Sequence, residues 1–225
     1  MNGKNIENVQ SKISSFSLSQ IFYYAIKRLF DIIVSLIGMV FLIPIYLFVR
    51  LASFLTGDFH KIIYTHERIG KDGINFKLYK FRSMVVNADE ELKRILKEDK
   101  KLKKEYEVNK KLNNDPRITK VGRFIRRYSI DELPQLINIF LGDMAIIGNR
   151  PYLPREKKDM GHFYNDIVKT KPGLTGYWQV SGRNDVSFKR RLELEQYYSN
   201  HQGFKMDLHI FFKTFGVVLH GRGAK

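Results

Sequence analysis

The sequence predicts a mostly helical α+β unit held at a membrane, and three observations carry that prediction. Residues 32–49 (IIVSLIGMVFLIPIYLFV) are an uncharged apolar run. Residues 62–82 place IIYTHERIG and INFKLYKFR on either side of Asp72-Gly73, the pattern of a β-hairpin. The remainder reads as helices, ending with Phe204, Leu208, Phe211, Phe212, Phe215 and Leu219 at helical spacing. A chain of 225 residues, 44% of them apolar, forms one domain with a core. No repeat or linker divides it. The expected organisation is a polar tail over 1–23 and one domain over 24–225, with the membrane helix at about 27–55.

The charge narrows the partners. Lys and Arg number 39 against 23 Asp and Glu, a net charge of +16. Such an excess calls for an anionic partner: nucleic acid, an acidic membrane surface or a phosphorylated substrate. Without cysteine, disulfide scaffolds, thiolate metal sites and Cys nucleophiles are excluded.

The apolar run is marginal as a membrane span. Eighteen helical residues rise about 27 Å against a hydrocarbon core of about 30 Å. Pro44 removes a helix hydrogen bond in its interior. Lys27 and Arg28 precede the run and Arg50 follows it, and the positive-inside preference places both ends in the cytosol. A re-entrant helix that bends at Pro44 and returns meets these constraints. A plain span and a buried core helix are the alternatives. With re-entrance, the chain lies against the cytoplasmic leaflet, and lipid and phosphate account for the charge without nucleic acid.

The other elements follow in order. Residues 1–20 read as a loose tail or surface helix. In the hairpin's second strand Ile74, Phe76 and Leu78 share a face that Lys80 and Arg82 continue; two cations at the end of a buried face are unusual, and the plain reading is that the strand has left the core there. Residues 88–112 read as a solvated charged helix with a thin stripe of Leu92, Ile95, Leu96 and Leu102. Residues 204–219 read as a core helix or one lying in the membrane interface.

Walker A, GxGxxG, HExxH, CxxC, Gly-x-Ser-x-Gly and Asp-x-Asp motifs are all absent. The chemistry concentrates in 122–154 (GRFIRRYSIDELPQLINIFLGDMAIIGNRPYLP). Ser129 and Glu132 fit a capping box, while Pro134 fits better if Asp131 is the cap. Either way two carboxylates sit at a helix N-terminus, whose dipole favours their ionised form. Arg126, Arg127 and Arg150 flank them. This group suits a divalent metal or an ionised nucleophile beside phosphate-binding cations, and equally ordinary capping with surface arginines. A second block, 170–184 (TKPGLTGYWQVSGRN), offers glycines for close backbone approach and Trp178 for stacking on a nucleobase, or else a tight loop packed by Trp178.

From about residue 24 to the end, the chain resembles the bacterial sugar transferases, the monotopic polyprenyl-phosphate phosphoglycosyl transferases. The matching motifs run in order: the apolar segment with Pro44, Lys80-Phe81-Arg82-Ser83-Met84, Asp115-Pro116-Arg117-Ile118-Thr119, Arg126 with Ser129-Ile130-Asp131-Glu132-Leu133-Pro134, Gly142-Asp143-Met144, Gly148-Asn149-Arg150-Pro151, and Lys171-Pro172-Gly173 through Gly182-Arg183. The stretch 149–156 looks most like members assigned to undecaprenyl-phosphate galactose phosphotransfer.

The resemblance implies transfer of a sugar 1-phosphate, galactose or glucose phosphate, from a UDP-sugar to undecaprenyl phosphate. UMP leaves, and the product begins a capsular or exopolysaccharide repeat unit. By the match Asp131 is the nucleophile and forms a phosphosugar-enzyme. Glu132 helps bind Mg²⁺. Lys80, Arg126, Arg150 and Arg183 hold phosphates. The expected location is the bacterial inner membrane with the catalytic unit on its cytoplasmic face. Nucleic acid is not an expected partner, and a homodimer is left open.

The chain departs from the family at Ile43, where relatives often carry Ser before the membrane proline, and at Leu141, Ala145 and Asn149. It looks like a minimal catalytic form. The rival readings are a non-catalytic membrane scaffold of a polysaccharide assembly complex and a nucleic-acid binder.

Overall fold

The computed structural model describes residues 17–109, 112–182 and 186–219. Helix α1 spans Leu18–Leu55, 38 residues, capped by Ser17, whose hydroxyl accepts the Gln20 N–H. Most of the expected tail lies outside the described residues, but 18–23 are the first turns of this helix. Pro44 lies inside α1, which continues to Leu55, so the proline does not end the helix. A proline removes only its own N–H from the ladder, and flanking turns can carry the helix past it. The helix is long and apolar enough to cross a membrane, and only 11% of its most apolar window is buried. Buried positions along it are Asp31, Ser35, Val49 and Ser53.

Strands β1 (Ile63–Ile69) and β2 (Asn75–Phe81) form the expected antiparallel hairpin, in register from Ile63 opposite Phe81 to Ile69 opposite Asn75. Asp72 and Gly73 both take positive φ in the turn. The strand has not left the core at its end, because Phe81 is 1% exposed. The two cations of that face part company. Lys80 turns to the site described below, while Arg82, just past the strand, forms a forked pair with Asp58, 2.9 Å on each arm.

The charged stretch is two helices rather than one, α2 (Ala88–Glu98) and α3 (Lys100–Asn109). Asp99 breaks it, its extended backbone freeing Oδ1 to accept the N–H groups of Lys101 and Leu102. Leu92, Ile95 and Leu112 form a small cluster of their own there.

Helix α4 (Lys120–Arg127) is capped by Thr119, and α5 (Gln135–Leu141) follows a 3₁₀ turn at Ile130–Glu132. Strands β3 (Ala145–Ile147) and β4 (Gly173–Thr175) pair in parallel. Gly173 is required there, since a Cβ on it would meet the Gly148 nitrogen at 2.1 Å. Helices α6 (Phe188–His201) and α7 (Phe204–Leu219) complete the unit. The architecture is therefore the expected mostly helical α+β type, with the strands of the described residues in two two-stranded sheets.

The main core joins Leu78 of β2, Leu136 and Ile139 of α5, Ile146 and Ile147 of β3, Tyr198 of α6 and Ile210 of α7, with Phe30, Val34 and Met39 of α1 against it. Polar staples fix α1 to this core. Asp31, 3% exposed, accepts the Ile146 N–H at 2.8 Å. Arg28 donates to the carbonyls of Ile139 and Phe140, and Lys27 pairs with Asp207. Arg50 donates to the His60 carbonyl at 3.0 Å. All three cations flanking the apolar run are thus engaged within the protein. The amphipathic reading of α7 holds in part: Ile210 is buried, while Phe204, Leu208, Phe212 and Phe215 are exposed.

Candidate active site

The carboxylate pair sits on the 3₁₀ turn, not at a helix cap. Ser129 takes a left-handed conformation (φ 55°) and makes no capping hydrogen bond, and Pro134, not Asp131, is the residue preceding α5. Both capping expectations are therefore corrected. The left-handed residue reverses the chain after α4 and rolls the turn so that Asp131 points inward, 8% exposed.

What faces the carboxylates is β2. Lys80 Nζ donates to Glu132 Oε1 at 2.9 Å and lies 3.9 Å from Asp131 Oδ2. This approach is built by Asn138 on α5, fully buried. Its Oδ1 accepts the Tyr79 N–H at 3.0 Å and its Nδ2 donates to the Lys77 carbonyl at 2.7 Å. The amide thus acts as a short strand beside β2 and sets Lys80 opposite the turn. Burial pushes the Asp131 carboxyl above its ordinary range, and Glu132 adds to this, while Lys80 and Arg126 pull it back. The nearby cations and a backbone N–H favour the charged form.

Arg126, the second expected cation, lies on α4 beside the turn. Its Nε donates to Ser83 Oγ at 2.8 Å, and burial lowers its pKa against the pull of Asp131 and Asp115. The motif around Ser83 closes this wall. Thr119 N–H donates to the Ser83 carbonyl, and Gly122 packs so close that a Cβ would meet that oxygen at 1.9 Å. Arg117 locks the loop before α4 through a forked pair with Asp115. Ser83 is a site residue that the sequence reading did not single out, although it lies within a quoted motif.

Lys80, Glu132 and Arg150 line one cleft, together with Arg68, Gln135 and Gln179. Arg150 follows β3, its backbone N–H donating to Glu195 Oε1 at 2.9 Å. Glu195 is 1% exposed, and burial pushes its pKa up to about 7. Trp178 is no stacking platform: it is buried, with the Arg191 guanidinium 4.5 Å from its ring centre and Arg150 at 5.8 Å. The tight-loop reading of that block is the one the structure bears out. Arg183 lies outside the described residues. Asn149 packs rather than reacts, its Nδ2 donating to Ile167 O, Thr170 Oγ1 and Ser199 Oγ.

Among the described residues no group of three or more His, Cys, Asp or Glu gathers as a metal cage. Asp131 and Glu132 offer two carboxylates. That set fits Mg²⁺, a hard cation that is commonly held by one or two carboxylates with substrate phosphates and water completing its shell.

A family model described as bacterial sugar transferase matches residues 22–221. The chain is 44% identical over 199 residues to a UDP-galactose-lipid carrier transferase of Erwinia amylovora, covering 88% of this chain and 41% of that one. It is 45% identical over 201 residues to an undecaprenyl-phosphate galactose phosphotransferase of Salmonella typhimurium, covering 88% and 41%. It is 40% identical over 199 residues to the exopolysaccharide production protein ExoY of Sinorhizobium fredii, covering 88% and 87%. The chain thus spans about two fifths of the length of the first two relatives and most of the third. With a family model matched almost end to end, this chain belongs to the bacterial sugar transferases.

Proposed function

We propose that the chain is a membrane-bound phosphoglycosyl transferase that moves a sugar 1-phosphate, galactose or glucose phosphate, from a UDP-sugar to undecaprenyl phosphate. The observation that carries this is the buried Asp131 beside Glu132, facing Lys80 at the mouth of a cleft lined by Arg150. Phosphoryl transfer asks mainly for positioning and neutralisation of charge, which these groups supply. The names of the Erwinia and Salmonella relatives support the lipid carrier and the sugar, and the ExoY name supports an exopolysaccharide product.

In this reading a carboxylate oxygen of Asp131 attacks the β-phosphorus. The bond from that phosphorus to the bridging oxygen breaks, and UMP leaves with the electron pair. A phosphate oxygen of the lipid then attacks the same phosphorus, the bond to Asp131 breaks, and the carboxylate is restored. Splitting the transfer lets a soluble and a lipid substrate use one site in turn. Lys80 and Arg126 favour the ionised form of Asp131, opposing its burial. Glu132 would hold Mg²⁺ with Asp131 close by, and the ion would neutralise phosphate charge.

The nucleophile must lie at headgroup depth on the cytoplasmic leaflet, and a re-entrant α1 provides this. Both halves of α1 pack on the same unit: Arg28 and Asp31 against α5 and β3, and Leu42, Ile45 and Val49 against Ile62, Phe81 and Ile125. A helix crossing the bilayer would carry its second half away from that unit. Its outer face, including Ile33, Ile37, Val40, Phe41 and Leu47, is left for lipid.

The test is UMP release from a panel of UDP-sugars with undecaprenyl phosphate in detergent or nanodiscs, with mass spectrometry of enzyme quenched mid-cycle. Turnover with a phosphohexose mass on Asp131 is expected. No turnover with any UDP-sugar would favour the membrane scaffold.

A further inference from the structure

Three arginines gather around the far wall of the cleft; Glu195 and Glu156 lie near enough to act on them, but among the described residues neither forms a salt bridge with any of the three. Arg68 and Arg150 both line the cleft, and Arg150 and Arg191 share the Trp178 ring. The Nε atoms of all three are buried without a hydrogen-bond partner. Among the described residues none of the three forms a salt bridge, whereas Arg117 has Asp115, Arg82 has Asp58 and Lys27 has Asp207. Burial and the neighbouring Arg150 charge lower the pKa of Arg68 to about 10, and the same two causes lower that of Arg191. Like charges crowded with buried donors unmet cost stability unless an anion completes them.

The hairpin register gives the direction of that anion. Arg68 lies opposite Phe76, and Tyr64 opposite Lys80, so Arg68 and Lys80 project from one face of the sheet. Four residues of strand, about 14 Å, separate their levels. Two long side chains converging from that spacing on one cleft bracket a ligand with two linked phosphates. Lys80 is beside Asp131, the end where the transferred phosphate must sit. The Arg68 end then faces the other phosphate. Arg68 is held in place by its Nη1, which donates to the Pro151 carbonyl at 3.2 Å.

We propose that Arg68, with Arg150, binds the phosphate of the leaving nucleoside monophosphate, while Lys80 attends the phosphate that is transferred. This rests on the phosphoglycosyl transferase reading. Arg191 is a positioning residue, acting through the Trp178 ring that it shares with Arg150. The lipid phosphate, which attacks from the side the nucleotide phosphate has left, meets the same cations in its turn.

The experiment separates the half-reactions in the full chain, using a UDP-sugar that the wild type turns over. UMP formation without lipid reports the first, and discharge of the phosphosugar-enzyme by undecaprenyl phosphate reports the second. Added UMP serves as product inhibitor. Losing a charge-assisted phosphate contact in Arg68→Gln is expected to slow UMP formation and raise the inhibitory UMP concentration, each by about tenfold or more. Arg68→Lys, which keeps the charge and loses the fork, is expected to fall between, and it carries the same comparison if Arg68→Gln does not fold. Unchanged UMP inhibition would overturn the assignment. A wild type that forms no UMP from any UDP-sugar defeats the transferase reading itself. A wild type that turns over beside an unaltered Arg68→Gln defeats only the role of Arg68.

Discussion

Lys80 donates to Glu132 across 2.9 Å although 52 positions separate them in the chain. The same ammonium is 3.9 Å from Asp131, so one cation serves both carboxylates. Replacing Asp131 by Asn should abolish turnover and the covalent adduct. Lys80→Met should lower turnover about a hundredfold or more, the usual cost of removing one preorganised charge donor. Thermal unfolding should show both variants folded. Near-normal turnover of Asp131→Asn would remove it as the nucleophile.

Asp31 fastens the long helix to the core by accepting the Ile146 N–H. Asp31→Ala strands that buried donor and should cost about 1–3 kcal/mol, whereas Asp31→Asn retains an acceptor and should recover most of it. Denaturant midpoints of the two variants provide the comparison, and equal losses would deny the hydrogen bond its role.

Gly122 allows α4 to touch the Ser83 carbonyl. In Gly122→Ala the methyl must push the two apart, costing about 1–3 kcal/mol by overpacking. It should also lower activity, because Arg126 is held through Ser83. A variant with wild-type stability and rate would show the close approach to be dispensable.

Glu195 gives a pH signature. Burial raises its pKa from the ordinary 4.5 to about 7, against the opposing charges of Arg150 and Arg191 and with Tyr152 beside it. The folded state therefore favours the protonated acid. That contribution is fully present below about pH 4.5 and is lost as pH rises through 7, on the order of 3 kcal/mol in all. Glu195→Gln keeps an acceptor for the Arg150 N–H and removes the titration. The wild-type melting temperature should fall relative to this variant between pH 5 and pH 8. Parallel curves would place the ionisation elsewhere.

The chain has no cysteine, so single cysteines report topology cleanly. Ser19→Cys and His60→Cys, at the two ends of α1, should both react with an impermeant maleimide from the cytosolic side only. Labelling from opposite sides would establish a crossing helix.

The hairpin, the apolar run and the C-terminal amphipathic helix were legible because each is written in local period. The carboxylate pair, with Lys80, Arg126 and Arg150, was legible as a set of candidates through ordered motifs. The capping box was not: its letters fit, yet Ser129 adopts a left-handed backbone to turn Asp131 inward. The single charged helix failed at Asp99, whose side chain supplies a new cap in mid-run. Of the two readings the sequence offers for Trp178, a stacking platform or a packed loop, its burial against arginine leaves the second.

By itself the sequence determined the main element types, the cationic character of the chain and the candidate residues for phosphate chemistry, since these depend on side-chain type and spacing within a few residues. Only the tertiary structure decided which of those residues meet. A buried amide at Asn138 aligns β2 with α5 and brings Lys80 to Asp131 and Glu132, and hairpin register brings Arg68 to the same cleft. Contacts between residues so far apart in the chain are set by how packed elements register against each other, a quantity that no local pattern encodes.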